Sequence, residues 1–243
     1  MNLNALARKA SKGPAPPAYG GSMNVEDMIR FVRVHGAAGA DEIDRLCAQH
    51  GWLANGLLPD GTRVAPFASW ARACAAFGRR GVSGLRPLLV DPELSGFAIA
   101  VLQEEKTLES IQALLGYCAS AAWQSSDAMH PDWRALSALN LLLSFDDGVK
   151  VEQAVMDDLL RIVVAAFDAA PQPFLSSLCL WTARGAPTAK ALAWLQALEV
   201  TGADVDAART TAIKSVRRRL APDYRAPDAK AARQIRRARA ADV

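Results

Sequence analysis

The stretch Asp91-Pro92-Glu93-Leu94-Ser95-Gly96-Phe97-Ala98-Ile99-Ala100-Val101-Leu102 decides the fold class. Its first three residues form a helix start. A capping acid precedes a proline at the first helical position, where the missing N–H is no loss. A second acid follows in the first turn, where the helix dipole favours negative charge. Leu94, Phe97, Ala98, Val101 and Leu102 then recur at helical spacing and form one apolar stripe. A strand of this length would alternate instead.

Working outward, the same opening returns. Pro92, Pro131 and Pro171 lie 39 and 40 residues apart, and each is read as leading a helix that a second helix follows after a short turn. Thr107 caps the helix that carries Leu108, Ile111, Leu114, Leu115, Cys118 and Ala122. Pro131-Asp132 opens one with Trp133, Leu136, Leu139 and Leu143. Asp146-Asp147-Gly148 turns into a long helix with Leu159, Ile162, Val163 and Ala166. Pro171 leads one with Phe174, Leu178 and Trp181, and Pro187 another with Ala191 and Leu195. Asp204 is expected to cap the last, which runs through Val205, Ala208, Ala212, Val216 and Leu220.

Upstream, a helix is expected from Val25 to Val34, ended by Gly36, and a second from Asp41 to the stop at Gly51. Pro66 opens a helix with Trp70, Cys74 and Phe77 on one face. Residues 52–65, with the turn Pro59-Asp60-Gly61, form the one small non-helical segment, and 11–22 read as a Pro/Gly-rich leader. The expected organisation is a leader over 1–22, a helical domain over 23–220 and a basic tail or helix over 221–243.

Half of the residues are apolar, many of them Ala, the best helix former. Cys47, Cys74, Cys118 and Cys179 form no CxxC pair and read as reduced core thiols. The opening residues lack the apolar core of a signal peptide, and no stretch reaches the roughly 18 apolar residues of a membrane span. A cytoplasmic protein is therefore expected. Charge is unevenly spread. Residues 214–243 hold ten basic and three acidic residues, whereas 23–213 hold 15 basic and 22 acidic. An acidic body with basic ends favours cationic partners on the body and anionic ones at the end.

A period near 40 built of helix–turn–helix units is the signature of a stacked α-solenoid. Asp91-Pro92-Glu93, His130-Pro131-Asp132-Trp133-Arg134 and Asp204-Val205-Asp206-Ala207-Ala208 carry a resemblance to HEAT-like repeats over about residues 81–220. That resemblance implies an all-α fold of right-handed stacked helix pairs. An irregular helical bundle is the competing reading.

No HExxH, GxSxG, Walker A or dinucleotide loop occurs, and His35, His50 and His130 sit at helix ends without metal-ligand spacing. No cofactor, metal or catalytic residue is assigned, and a non-enzyme is expected. The acid pairs Glu104-Glu105, Asp146-Asp147 and Asp157-Asp158 fall at turns and faces that a solenoid would align along one edge, a docking surface for a basic protein partner. In its concrete form this is a bacterial immunity or inhibitor protein that neutralises a toxin. Arg217, Arg218, Arg219, Lys230, Arg233 and Arg237 form a possible anion-binding end, although Lys214 to Arg219 also complement a helix dipole. Trp52, Trp123 and Trp194 fit the stripes poorly; a partly buried core position is the favoured reading of each, and an exposed anchor the competing one. The alternative is a nucleic-acid-binding protein similar to the HEAT-like DNA glycosylases. Asp132-Trp133-Arg134 would then be its carboxylate–aromatic–basic cluster, and Arg79, Arg80, Arg134 and Arg184 would line its groove.

Overall fold

The computed structural model describes residues 25–49 and 67–225. The segment 52–65, the leader and residues 226–243 lie outside the described residues. Ten helices and no strand occur among the described residues, and they fall into two compact units that divide between Glu105 and Lys106.

The first unit holds four helices: α1 Val25–Gln49, α2 Phe67–Arg80, α3 Val82–Leu89 and α4 Ser95–Glu105. Gly36 breaks α1 into two helical arms, as expected: its φ of 56° and ψ of −134° are non-helical, a conformation that a side chain would oppose. Ile29, Val32, Ala40 and Ile43 of α1 are buried, as are Ala71, Ala73, Cys74 and Phe77 of α2, and the two helices pack together. Arg79 at the end of α2 binds Asp41 at 2.8 Å and Asp44 at 2.5 Å across that contact. Asp91 caps as its position predicts: its Oδ1 accepts from the amides of Glu93 at 2.8 Å and Leu94 at 3.2 Å. Residues 92–94 form a turn and α4 begins only at Ser95, so Pro92 and Glu93 precede the helix where they were expected to open it.

The second unit holds six: α5 Leu108–Cys118, α6 Pro131–Leu143, α7 Gln153–Ala169, α8 Pro173–Ala183, α9 Ala189–Ala197 and α10 Ala203–Leu220. Thr107 closes a capping box with Ser110, and Thr188 accepts from the Ala191 amide at 3.1 Å, each satisfying an amide the helix leaves open. Three local expectations need correction. Proline at the start of α8 is Pro173, two residues after Pro171. The cap of α10 is Gly202, at φ 93°, and Asp204 lies inside the first turn. Helix α5 ends at Cys118, so Ala122 is outside it.

Each of α5–α6, α7–α8 and α9–α10 is a contacting pair. In addition α5 touches α7, α6 touches α8, and α8 touches α10. The core joins Trp133, Leu136, Leu139 and Leu143 of α6 to Leu159, Ile162 and Val163 of α7 and to Leu175, Cys179 and Leu180 of α8. Burying each large aliphatic side chain is worth about 1.5–3 kcal/mol. Gly185, just past α8, lets three helices converge: a Cβ there would lie 2.8 Å from Leu143 Cβ and 3.0 Å from Leu159 Cδ2. The α5–α6 connection is anchored by Trp123, which is buried rather than exposed and lies 5.0 Å from the Trp133 ring.

Trp133 is fully buried and its indole N–H donates to Ser125 O at 2.7 Å. Trp133→Ala is expected to cost about 3–5 kcal/mol. Trp133→Phe should cost less, since it keeps most of the volume while losing that bond. Urea denaturation of both variants checks the order.

Candidate functional site

Thr211, Lys214, Ser215 and Arg218 follow at i, i+3, i+4 and i+7 on α10 and therefore share one face. That face meets the residues just past α6 (Ser144, Phe145 and Asp146) and Arg184 just past α8. Together these residues line a cavity of about 240 Å³.

The polar contacts around it are specific. Asp146 Oδ1 accepts from Arg218 Nη2 at 2.6 Å and from the Tyr224 hydroxyl at 2.8 Å. Burial by itself would raise the Asp146 pKa. The hydrogen bonds from Tyr224 and Arg218, with the charges of Arg218 and Arg219, outweigh it and hold the carboxyl below its usual range. Arg219 Nη1 donates to Arg184 O at 2.5 Å and to Leu143 O at 3.4 Å, so it covers the carbonyl ends of both α8 and α6; its burial depresses its own pKa. Arg184 Nε donates to Trp181 O at 2.8 Å, and its guanidinium lies 5.5 Å from the Phe145 ring centroid. Lys214 is exposed.

Thr211 also lines a second hollow, about 440 Å³, between α8 and α10. Pro173, Phe174 and Trp181 lie on one side of it, and Asp204, Ala207 and Ala208 on the other. The Phe174 and Trp181 rings meet edge to face at 6.2 Å, and Phe174 is 55% exposed. One face of the second unit thus carries a cation-rich cavity beside an aromatic groove.

The acid pairs are placed differently from expectation. Glu105 binds Arg33 at 2.5 Å, and the Glu104 carbonyl accepts from the same guanidinium. Asp146 turns inward to Arg218, and Asp147 beside it is half-buried. Asp157 accepts from Gln153 at 3.0 Å and Lys190 at 3.3 Å, and Asp158 pairs with Arg161 at 3.2 Å. Four of the six carboxylates therefore already hold a cation of their own chain. Glu104 and Glu105 belong to the first unit and the other four to the second. Arg217, Arg218 and Arg219 form the last turn of α10; Lys230, Arg233 and Arg237 lie outside the described residues.

Asp132 is buried in the first turn of α6 and accepts from the Tyr117 hydroxyl at 2.9 Å. With Trp133 in the core, the Asp132-Trp133-Arg134 cluster has a structural employment. Arg134 is half-buried, and desolvation lowers its pKa. Arg79 and Arg80 belong to the first unit, Arg134 and Arg184 to the second. Burial pushes the Cys74 thiol up to about 12 and raises Cys118 and Cys179 as well, which suits packing rather than nucleophilic chemistry. Among the described residues no group of three His, Cys, Asp or Glu side chains lies close enough to hold a metal, and no helix is long and apolar enough to cross a membrane.

Sequence reasoning missed the site's assembly. The spacing of Lys214 and Arg218 was visible, but the helix dipole already accounted for both. Their convergence with Arg184 and with residues 144–146 depends on tertiary packing. No family model matches this chain, and no curated protein or solved structure matches it significantly.

The depressed Asp146 pKa fixes the sign of a pH effect. The carboxylate's contribution to stability is fully present above the ordinary carboxylate range and fades as pH falls through the folded pKa. Asp146→Asn is expected to lower stability by on the order of 1 kcal/mol at about pH 7, and by less at about pH 3. Urea denaturation at the two pH values measures it. A gap that persists in acid would mean that shape, not charge, makes Asp146 matter.

Proposed function

We propose that this chain is a non-catalytic protein-interaction module of HEAT-like stacked helix pairs, docking its partner on the face formed by α8 and α10. The stacking is supported by the alternation in the second unit. Of the first helices α5 meets α7, and the second helices meet in succession (α6 with α8, α8 with α10), while each pair also packs internally. That is the nearest-neighbour logic of a solenoid, whose extended surfaces serve binding.

The observation that carries the docking reading is the exposed Phe174 ring set against Trp181 beside Arg184 and Arg218. Aromatic and arginine side chains next to a hollow make up the usual composition of an interaction hot spot. A water-exposed phenyl ring of this kind contributes little to folding and much to a desolvated contact. The proposal keeps the expectation of a docking protein but moves its surface. Using the acid pairs would mean displacing Arg33, Arg218, Lys190 or Arg161 from contacts already made.

The test compares the tagged full chain with its Phe174→Ala variant in pull-downs from the native cytosol, with and without nuclease. A stoichiometric protein is expected, indifferent to nuclease. Phe174→Ala should weaken it by about tenfold or more while shifting stability by less than about 1 kcal/mol. Captured nucleic acid that disappears on nuclease treatment, or a protein that Phe174→Ala leaves fully bound, would overturn the reading.

A further inference from the structure

Four exposed residues of α10, Asp204, Ala207, Thr211 and Lys214, are spaced symmetrically about the level of Arg209. We propose that the occupant of the α8–α10 face is a second copy of this chain, its α10 lying antiparallel across a two-fold axis at that level. The inference rests on the docking reading above and names its partner.

Helix geometry puts the four residues on one stripe, within about 80° of one another around the axis. The stripe ends in opposite charges. Asp204 and Lys214 have no ion pair or side-chain hydrogen bond among the described residues. Nearby charges are already answered: Asp206 by Arg209 at 2.8 Å, and Arg218 by Asp146 at 2.6 Å. Asp204 and Lys214 stand about 15 Å apart along the helix. In a two-fold contact, residue i of one copy meets residue j of the other and the reverse. Antiparallel pairing therefore sets each Asp204 against Lys214 of the second copy. Parallel pairing in register would set like charge on like.

The centre of the stripe fits the same arrangement. Ala207 of one copy meets Thr211 of the other, and small side chains at a crossing let two helices approach to about 8 Å. The Thr211 hydroxyl donates to Ala207 O at 2.9 Å within its own helix, so covering it leaves no donor unpaired. Asp204, Ala207 and Thr211 also line the hollow whose other wall holds Phe174 and Trp181. A helix laid along the stripe covers the Phe174 ring, which the single chain leaves 55% exposed.

The charge layout favours a second copy over an unrelated protein. The occupant needs a cation over Asp204, a carboxylate over Lys214 and small residues between them. A helix antiparallel to α10 brings its first turn over Lys214 and its last turns towards Asp204. Acids in the first turn and cations in the last are what a helix dipole favours, and α10 itself has Asp204 and Asp206 at its start and Arg217, Arg218 and Arg219 at its end. A uniformly basic partner or a nucleic-acid backbone would answer one of the two charges and oppose the other. The described part of the second unit, residues 106–225, contains 12 basic and 13 acidic residues, so no large net charge opposes pairing with itself.

The test is sedimentation velocity of the full chain over about 1–100 μM. A monomer–dimer equilibrium is expected. Asp204→Lys and Lys214→Asp should each weaken it by about tenfold or more, because two attractive contacts become two repulsive ones. An equimolar mixture of the two variants should restore the dimer to within about threefold of wild type, since the reversed chains complement each other at both contacts. Restoration also verifies that both variants fold. Phe174→Ala should weaken the dimer as well.

A wild-type chain that stays monomeric over the whole range, a dimer that neither reversal weakens, or a mixture that remains monomeric would overturn the proposal. The docking face is judged separately by the pull-down. A monomeric chain that captures a different protein through Phe174 loses the self-pairing and keeps the docking face. If the dimer forms as stated, the stoichiometric protein in that pull-down is the untagged chain itself.

Discussion

Most of helix α8 is buried, with only its N-terminal Pro173 and Phe174 exposed, and the second unit is arranged around that constraint. Leu175, Ser177, Leu178, Cys179, Leu180, Thr182 and Ala183 are all buried, which covers nearly every direction around the helix. A helix apolar around most of its circumference needs neighbours on most sides. Helices α6, α7 and α10 enclose it. Small residues make the enclosure close: Ala208 and Ala212 on α10, and Gly185 where α6 and α7 approach the end of α8. A larger side chain at Gly185 would push apart the elements that also form the cavity wall.

Enclosure brings polar groups in with the apolar ones, and these are satisfied locally. The Thr182 hydroxyl donates to Leu178 O at 2.8 Å, and the Ser144 hydroxyl to Thr182 O at 3.2 Å. Arg219 reaches the carbonyl ends of α6 and α8. Leaving such carbonyls buried and unpaired would cost about 1–3 kcal/mol each. The cations around the cavity are thus partly a consequence of ending two helices beside a third. What distinguishes Lys214 from Arg219 is that its charge is not needed for that purpose.

Local signals in the sequence were legible where the physics is local. The Asp91 cap, the Thr107 capping box, Pro131 at the start of α6 and the stripes of α6 and α7 all depend on a few neighbouring residues. Misreadings arose where local cues were degenerate. Pro171 and Pro173 both lie near a helix start. Asp204 and Gly202 both suit the beginning of α10. Trp123 fitted no stripe and stood between a core position and an exposed anchor, because a loop residue is carried into a core only by the fold; its ring packs on Trp133. The acid pairs were read as free because their partners, Arg33, Arg218 and Lys190, stand 33 to 72 residues away.

By itself the sequence determined the all-helical class, most helix starts and the apolar faces, because capping, propensity and 3.6-residue periodicity act within a turn or two. It also placed Lys214 and Arg218 on one helix face, since their spacing alone decides that. Only the tertiary structure decided which charges remain available. Pairs such as Asp158–Arg161 follow from local spacing, but the pairs of Glu105, Asp146 and Lys190, the capped helix ends and the cavity are set by contacts distant in sequence.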